Sequence, residues 1–456
     1  VVVVKVLLIV HDVYQNDNEF PLGEAYLAAV LRKDGHDVSV LCADVYHYTN
    51  EYVADYIRRR KFDIIGIGFM AARFTETILS LCKAINSVKG NAKLILGGHG
   101  PSATPEYMLE ATGADAVIIG EAESIISGIT VCINNGNRVV RGVPFKHLDE
   151  IPFPAWDLFP MDKYIDCKLY PGQKKSVKSV AVITSRGCVN RCSFCYRLEK
   201  GIRFRKMANV VEEIKYLHHN YGVDHFEFSD ECFITNKRRL ERLNQQLQDN
   251  NLNINYWCAA RVDVINEEVL SLMKEGGCKF INYGFESMDE NVLRLMNKNA
   301  TPEDNERAAR LTKDAGIQFG LNFIWNMPGD TKESLRQNVA FIKKYNTYGQ
   351  LRTIRPVTPY PGSPLYYRAI EDGLLGGPAD FYNRFKNSDL VTVNFMDIPT
   401  QDIYNELYFA NCELINDMQL HSPHIFGPEW PQLKADFYRL YFEGKYEFRG
   451  ARHYEK

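Results

Sequence analysis

The sequence predicts an α/β protein made of two successive β/α series followed by a smaller helical segment. Three observations carry this reading. Apolar, β-branched runs alternate with helical patterns from residue 5 to about 125. A second alternation of the same kind begins near Val177 and runs to residue 365. Cys188, Cys192 and Cys195 stand in the frame Cys-x-x-x-Cys-x-x-Cys, on the loop after the first strand of that second series.

The opening run Val1-Val-Val-Val-Lys-Val-Leu-Leu-Ile-Val10 is too short to cross a bilayer. It lacks the charged start and small-residue cleavage site of a targeting segment and reads as a buried strand. Further strands are expected at 37–41, 63–68, 93–96 and 116–119. Five such units make a doubly wound, flavodoxin-like (Rossmann-type) domain over 1–140, which takes ligands beyond the carboxyl ends of its strands. Small residues crowd the loops there: Pro21-Leu-Gly23, Gly66-Ile-Gly68, Gly97-Gly-His-Gly100 and Gly120-Glu-Ala-Glu123. Glycine lets a ligand approach the backbone. Each loop alone reads as a tight turn, whereas four at one sheet edge point to a shared ligand.

A linker over 141–176 contains Leu148-Asp-Glu-Ile-Pro-Phe-Pro-Ala-Trp156, an extended segment by its prolines. The second series, 177–365, places strands at 179–184, 225–229, 253–260, 280–286, 317–325 and 351–357. In β/α barrels reactive residues gather at the carboxyl ends of strands, and the cysteine loop sits at the first of these. Residues 366–456 are aromatic-rich, with helical patterns near 403–418 and 430–442, and read as a cap.

Hydrophobic content of 45% and charged content of 24% are those of an ordinary globular chain. Lys+Arg 54 against Asp+Glu 57 leaves no overall electrostatic footprint for nucleic acid, and no membrane span is present. Eight of the 11 cysteines lie scattered outside the frame, as expected of reduced thiols in the cytoplasm.

Three thiolates on one loop can each bind one iron of a cubane [4Fe–4S] cluster and leave the fourth iron without a protein ligand. An open position separates a catalytic metal site from a closed structural one. About 0.006 such frames are expected by chance in a chain of this cysteine content. Zinc, the alternative, normally needs a fourth Cys or His nearby, and none lies close.

Ser185-Arg-Gly-Cys-Val-Asn-Arg-Cys-Ser-Phe-Cys-Tyr196, with the aromatic Phe194 before the last cysteine, resembles the signature of the radical S-adenosylmethionine (SAM) superfamily. The resemblance implies a partial, TIM-like (β/α)₆ barrel. It also implies that SAM chelates the open iron and that one electron, from a flavodoxin- or ferredoxin-type donor, cleaves it to a 5′-deoxyadenosyl radical. Pro21-Leu-Gly-Glu-Ala-Tyr-Leu-Ala-Ala29, Gly97-Gly-His-Gly-Pro-Ser102 and Gly120-Glu-Ala-Glu123 resemble the cobalamin-binding domain that precedes many radical SAM enzymes. On that resemblance Gly23, Gly66, Gly68, Gly97, Gly98, His99, Ser102, Gly120 and Glu121 bind cobalamin. The Asp-x-His-x-x-Gly motif is absent, since His11-Asp-Val-Tyr-Gln15 has the wrong spacing, so the implied state is base-off with no axial histidine. Tyr14, Gln15, Met70 and Arg73 are candidates for the lower face of the corrin, with ordinary loop packing as the alternative.

SAM must also be held at its amino-acid, ribose and adenine ends. Phe228-Ser-Asp-Glu-Cys-Phe233 resembles the family's Asp-Asp-x-Phe stretch, so Asp230 or Glu231 would accept from the methionyl ammonium, unless the segment merely caps the helix near Asn236. Arg261, in Trp257-Cys-Ala-Ala-Arg-Val-Asp263, suits the SAM carboxylate or, equally, a structural ion pair. Tyr283-Gly-Phe-Glu-Ser287 matches the family's Gly-x-Glu-Ser stretch and offers Glu286 or Ser287 to the ribose. Phe323-Ile-Trp-Asn-Met-Pro-Gly-Asp-Thr331 corresponds to the stretch beside adenine, with Asn326 where glycine is usual. Thr358-Pro-Tyr-Pro-Gly-Ser-Pro364 resembles the family's closing loop, and Tyr360 either faces the reaction chamber or packs in a turn.

The leading expectation is a cobalamin-dependent radical SAM methyltransferase acting on an unactivated carbon of a small molecule, protein or peptide. An oxidative cyclase or rearranging enzyme with the same cofactors is the alternative, and a cobalamin/iron–sulfur sensor a weaker one. A methylthiotransferase would need a second cysteine triplet, but Cys42, Cys82 and Cys132 lie far apart.

Overall fold

Val6, Leu7 and Ile9 are wholly buried, as a central parallel strand covered on both faces requires. In the computed structural model, which describes residues 3–12, 19–165, 168–169, 176–234 and 236–445, they belong to β1 (Lys5–Val10). The first sheet adds β2 (Asp37–Cys42), β3 (Ile64–Gly68), β4 (Lys93–Gly97), β5 (Ala116–Ile119) and β6 (Val139–Arg141). Its order is β2-β1-β3-β4-β5-β6, with every pair parallel. The sequence reading missed β6, a three-residue edge strand among polar residues. Helix Leu22–Lys33 lays Tyr26, Ala29 and Val30 on the Val6/Leu8/Ile64/Ile95 face, forming one core.

Two short strands, β7 (Lys168–Leu169) and β8 (Ser176–Val177), precede the second series. That series contains β9 (Ser179–Val182), β12 (His225–Phe228), β13 (Asn255–Ala260), β14 (Cys278–Glu286), β15 (Gln318–Trp325) and β16 (Arg355–Pro356). They form a half-barrel sheet of order β16-β15-β14-β13-β12-β9. The expected strand 179–184 is shorter than read. The chain turns into an antiparallel hairpin of β10 (Ser185–Cys188) and β11 (Gly201–Phe204). Gly187 permits this, with φ +90° and a position where a Cβ would meet Gly201 O at 2.4 Å.

The chain packs as two units. One comprises Val1–Lys168, Ser176–Val189 and Tyr196–Glu227; the other comprises Leu169–Lys175, Asn190–Cys195 and Phe228–Lys456. In the second unit most helices begin on a side-chain cap. Asn236, Asn266, Asp289, Thr301 and Thr331 each accept an N–H of the following turn. The cap of the helix after β12 is thus Asn236 itself.

The carboxyl-terminal helix Thr400–His421 lies against helix Lys332–Tyr345, joined by Lys343–Glu413 and Lys332–Glu406 ion pairs. Two buried asparagines bind this segment to the strands. Asn411 accepts from Ile354 N at 2.8 Å and donates to Ile354 O at 3.0 Å. Asn326, just past β15, donates to Val393 O at 2.8 Å and accepts from Phe395 N at 3.1 Å. Its φ of +71° is a left-handed conformation that glycine adopts freely and asparagine tolerates. The departure from the usual glycine keeps the backbone and adds a staple.

At the carboxyl edge of the first sheet, Glu24 on helix Leu22–Lys33 is partly buried, and a Cβ on Gly68 would meet its Oε1 at 2.7 Å. Desolvation, helped by nearby Asp44 and opposed by backbone hydrogen bonds at Glu24 and Gly68, raises its pKa from 4.5 to about 7. Asp44 is itself pushed up to about 6 by burial, although Tyr164 OH donates to both of its oxygens at 2.9 Å.

Two predictions follow from this packing. Asn326→Ala should cost about 2–4 kcal/mol in urea unfolding of the carboxyl-terminal unit, through two orphaned backbone groups and left-handed strain. Asn326→Gly, which keeps the conformation, should cost clearly less. Because Glu24 holds its proton in the folded state up to pH about 7 but in the unfolded state only to about 4.5, stability should fall as pH rises between these values. The loss attributable to Glu24 is on the order of 3 kcal/mol, and Glu24→Gln should flatten the pH dependence of the urea midpoint.

Candidate cofactor site

The glycine-rich loops of the amino-terminal unit divide into two kinds. Gly23 and Gly97 face open space, with nothing within 4 Å of a built Cβ. The others serve close packing. Gly66 abuts Leu8, and a Cβ on Gly98 would meet Phe69 O at 2.9 Å. Gly100 N donates to Phe69 O at 3.0 Å, so the loops after β3 and β4 lie on one another. Ser102 Oγ accepts from Gly120 N at 3.1 Å and ties the loops after β4 and β5. Met70 is 54% exposed beside them, and Arg73 lies within electrostatic reach of His11. Tyr14 and Gln15 lie outside the described residues. His99 is largely buried, its pKa lowered by that burial, and its ring meets Tyr196 edge-on at 6.0 Å. Tyr196 is the residue after Cys195.

Glu121 and Glu123, at the carboxyl end of β5, neutralise two arginines of the β10–β11 hairpin. Arg186 Nη1 lies 2.7 Å from Glu123 and 3.3 Å from Glu121, and Arg203 grips Glu121 with both terminal nitrogens. The guanidinium of Arg186 also lies 5.0 Å from the Tyr26 ring centroid. Burial opposes the charge on Arg186, but the two glutamates outweigh it and raise its pKa. The carboxylate of Glu121 is therefore engaged by protein cations. Cys188 ends β10, the first strand of this hairpin, and its carbonyl accepts from Arg197 Nη1 at 3.2 Å.

Cys192 and Cys195 sit on one turn of the other unit, with Cys195 N donating to Cys192 O at 3.2 Å. Backbone bonds hold the turn from outside. Ser193 N donates to Met296 O and Leu365 N to Ser193 O, both at 2.7 Å, while Asn297 Nδ2 donates to Arg191 O at 2.9 Å. Phe194 packs on a small core of Val292, Met296, Met327, Val357 and Leu365, which Phe395 also joins.

Two buried cations stand by this turn. Lys298 Nζ is 2.8 Å from Glu286 Oε1 and 5.9 Å from the Phe194 ring centroid. Burial works against its charge, yet Glu286 and then the Cys192 thiol group outweigh it and raise its pKa. Arg261 is held by Asp263 at 2.9 and 3.2 Å and donates to the carbonyls of Lys298 and Asn299 at 2.7 and 3.0 Å. Glu286 is left-handed at φ +65°, and the pair fits because residue 284 is glycine. A Cβ there would meet Glu286 Oε1 at 2.3 Å and Lys298 Nζ at 3.0 Å.

The remaining candidates are placed as follows. Asp230 is buried and Glu231 exposed on the turn after β12. Ser287, fully buried, accepts from Asp289 N at 3.1 Å. Tyr360 lies beside the stacked rings of Phe381 and Phe385, at 6.2 and 5.7 Å. Sequence reasoning missed Lys298, Asp263, Arg186 and Arg203, whose partners lie up to 82 residues away. The only local signal was their placement beside motifs already singled out.

The donor set suits an iron–sulfur cluster by type. Cys188, Cys192 and Cys195 are not joined in disulfides and are graded from half-buried through buried to exposed, and cations flank the middle one. Among the described residues no three Cys, His, Asp or Glu side chains are drawn together at metal-ligand distances, so the fit rests on that chemistry. No helix of the described residues is long and apolar enough to cross a membrane.

A family profile for the B12 binding domain matches residues 11–130, and one for the radical SAM superfamily matches residues 182–342. The chain is 33% identical over 379 residues to the uncharacterized methyltransferase PH0819 of Pyrococcus horikoshii, covering 78% of this chain and 79% of that protein. It is 27% identical to the anaerobic magnesium-protoporphyrin IX monomethyl ester cyclase of Rubrivivax gelatinosus, over 76% of this chain and 65% of the cyclase. Among solved structures, the radical SAM methyltransferase TsrM of Kitasatospora setae, with cobalamin and a [4Fe–4S] cluster bound, superposes with a TM-score of 0.65 at 19% identity. That match covers 81% of this chain and 75% of TsrM. A cysteine loop of radical SAM type, following a B12-binding domain in the sequence and shared along most of the length of such relatives, makes this chain a member of the cobalamin-dependent radical SAM enzymes.

Proposed function

We propose that the enzyme transfers a methyl group to an unactivated carbon. The observation that carries this reading is the likeness to PH0819, named a methyltransferase, at 33% identity along four-fifths of its length. When bound, the cluster with SAM supplies a 5′-deoxyadenosyl radical that takes hydrogen from the substrate, and base-off cobalamin supplies the methyl group.

In this reading residues 1–140 carry cobalamin and 177–365 carry the cluster and SAM. Cys188, Cys192 and Cys195 hold three irons. Glu286 gives one oxygen to Lys298 and keeps the other for the ribose. Arg261, clamped through Nε and Nη2, keeps Nη1 for the SAM carboxylate, while Asp230 or Glu231 accepts from the ammonium. Asn326 fixes the backbone beside adenine, and Tyr360 stands at the closing loop next to the substrate. Gly23 and Gly97 leave room at the sheet edge for the corrin and its tail. Reduction comes from a flavodoxin- or ferredoxin-type donor in the cytoplasm. The second reading, oxidative cyclisation or rearrangement without methyl transfer, is favoured by the cyclase relative.

Anaerobic reaction with CD₃-labelled SAM and candidate acceptors separates the readings. Methyl transfer should place the labelled group on the product and release 5′-deoxyadenosine. Formation of 5′-deoxyadenosine with an unlabelled, oxidised product would instead establish the cyclase reading. Cys192→Ala should lose cluster iron and all 5′-deoxyadenosine under either one.

A further inference from the structure

Lys298 is a buried lysine to which the sequence motifs assign no role. It is only 6% exposed, and its ammonium has one carboxylate partner, Glu286 Oε1 at 2.8 Å. The same ammonium lies 5.9 Å from the centroid of Phe194, the residue between Ser193 and Cys195. The backbone fixes it there. Lys298 N donates to Leu293 O at 3.1 Å, Lys298 O accepts from Arg261, and the preceding Met296 O accepts from Ser193 of the cysteine turn. Gly284 supplies the space the pair occupies. Burying a lysine and a glutamate together is costly, and similar apolar packing would stabilise the fold as well. Retention of the charges points to a task for them.

We propose that Lys298 is a positioning residue that places a positive charge beside the Cys192 end of the cysteine turn and thereby raises the reduction potential of the cluster held there. The inference rests on the reading that Cys188, Cys192 and Cys195 carry a [4Fe–4S] cluster. Reduction moves one electron from an external low-potential donor, a reduced flavin or an iron–sulfur protein, onto the cluster, which becomes more negative by one charge. A nearby cation stabilises the reduced form more than the oxidised one. Glu286, on the same ammonium, partly cancels that effect and sets its size.

The full chain, anaerobically reconstituted and free of SAM, is titrated with dithionite and mediators while the EPR signal of the reduced cubane is followed. Lys298→Met should shift the midpoint to more negative potential. Lys298→Arg should stay near wild type, and Glu286→Gln, which keeps an acceptor but loses the charge, should shift it to more positive potential. An unchanged midpoint in Lys298→Met at full iron and sulfide content overturns the proposal, as does a shift of Lys298→Met and Glu286→Gln in the same direction. If Lys298→Met holds no cluster, an unmoved midpoint in Glu286→Gln overturns it. Wild-type protein that shows no cubane signal removes the cluster reading itself, an outcome distinct from a cubane whose potential ignores these charges.

Discussion

Glu286 sits on a left-handed residue at the end of a buried strand, where an unpaired carboxylate would cost several kcal/mol. The Lys298 ammonium at 2.8 Å neutralises it, and much of the site's framework answers to that pair. Gly284 is small because the two charged ends occupy the volume of a side chain. The helix Glu290–Leu295 ends where its carbonyls can catch Lys298 N, and the next carbonyl, of Met296, holds Ser193 of the cysteine turn. Arg261 closes the arrangement by bonding the Lys298 and Asn299 carbonyls while Asp263 neutralises it. Thus the strand that presents Glu286 and the loop that presents two thiols share one set of buried charges.

The amino-terminal unit applies the same rule with other residues. Two arginines of the hairpin whose first strand ends at Cys188 are matched by two glutamates of the loop after β5. At the opposite side of that sheet edge, burial raises the pKa of Glu24 to about 7 and that of Asp44 to about 6. One edge therefore uses fixed ion pairs, and the other holds carboxyls whose proton affinity burial has raised, two ways of lowering the cost of charge away from water.

Much of this was legible in the sequence because it is local. The cysteine frame spans eight residues, and the strands of both series are apolar runs whose period survives without tertiary context. What was not legible depends on distant partners. Nothing near Glu121 announces Arg203, and nothing near Glu286 announces Lys298 twelve positions on. The hairpin β10–β11 was hidden because its first half continues the β-rich run of β9, and only the left-handed Gly187 shows the turn. For Arg261 both alternatives, a carboxylate ligand or an ion pair, were open on residue type, and Asp263 answers for the ion pair while Nη1 stays outside it.

Asn326 reaches the carboxyl-terminal segment through Val393 O and Phe395 N, both main-chain atoms. An amide that grips only backbone is indifferent to which side chains it holds in place. The stretch around residue 394 can therefore diversify its surface while its attachment to the strand end stays constant, so new wall chemistry can be tried without rebuilding the scaffold.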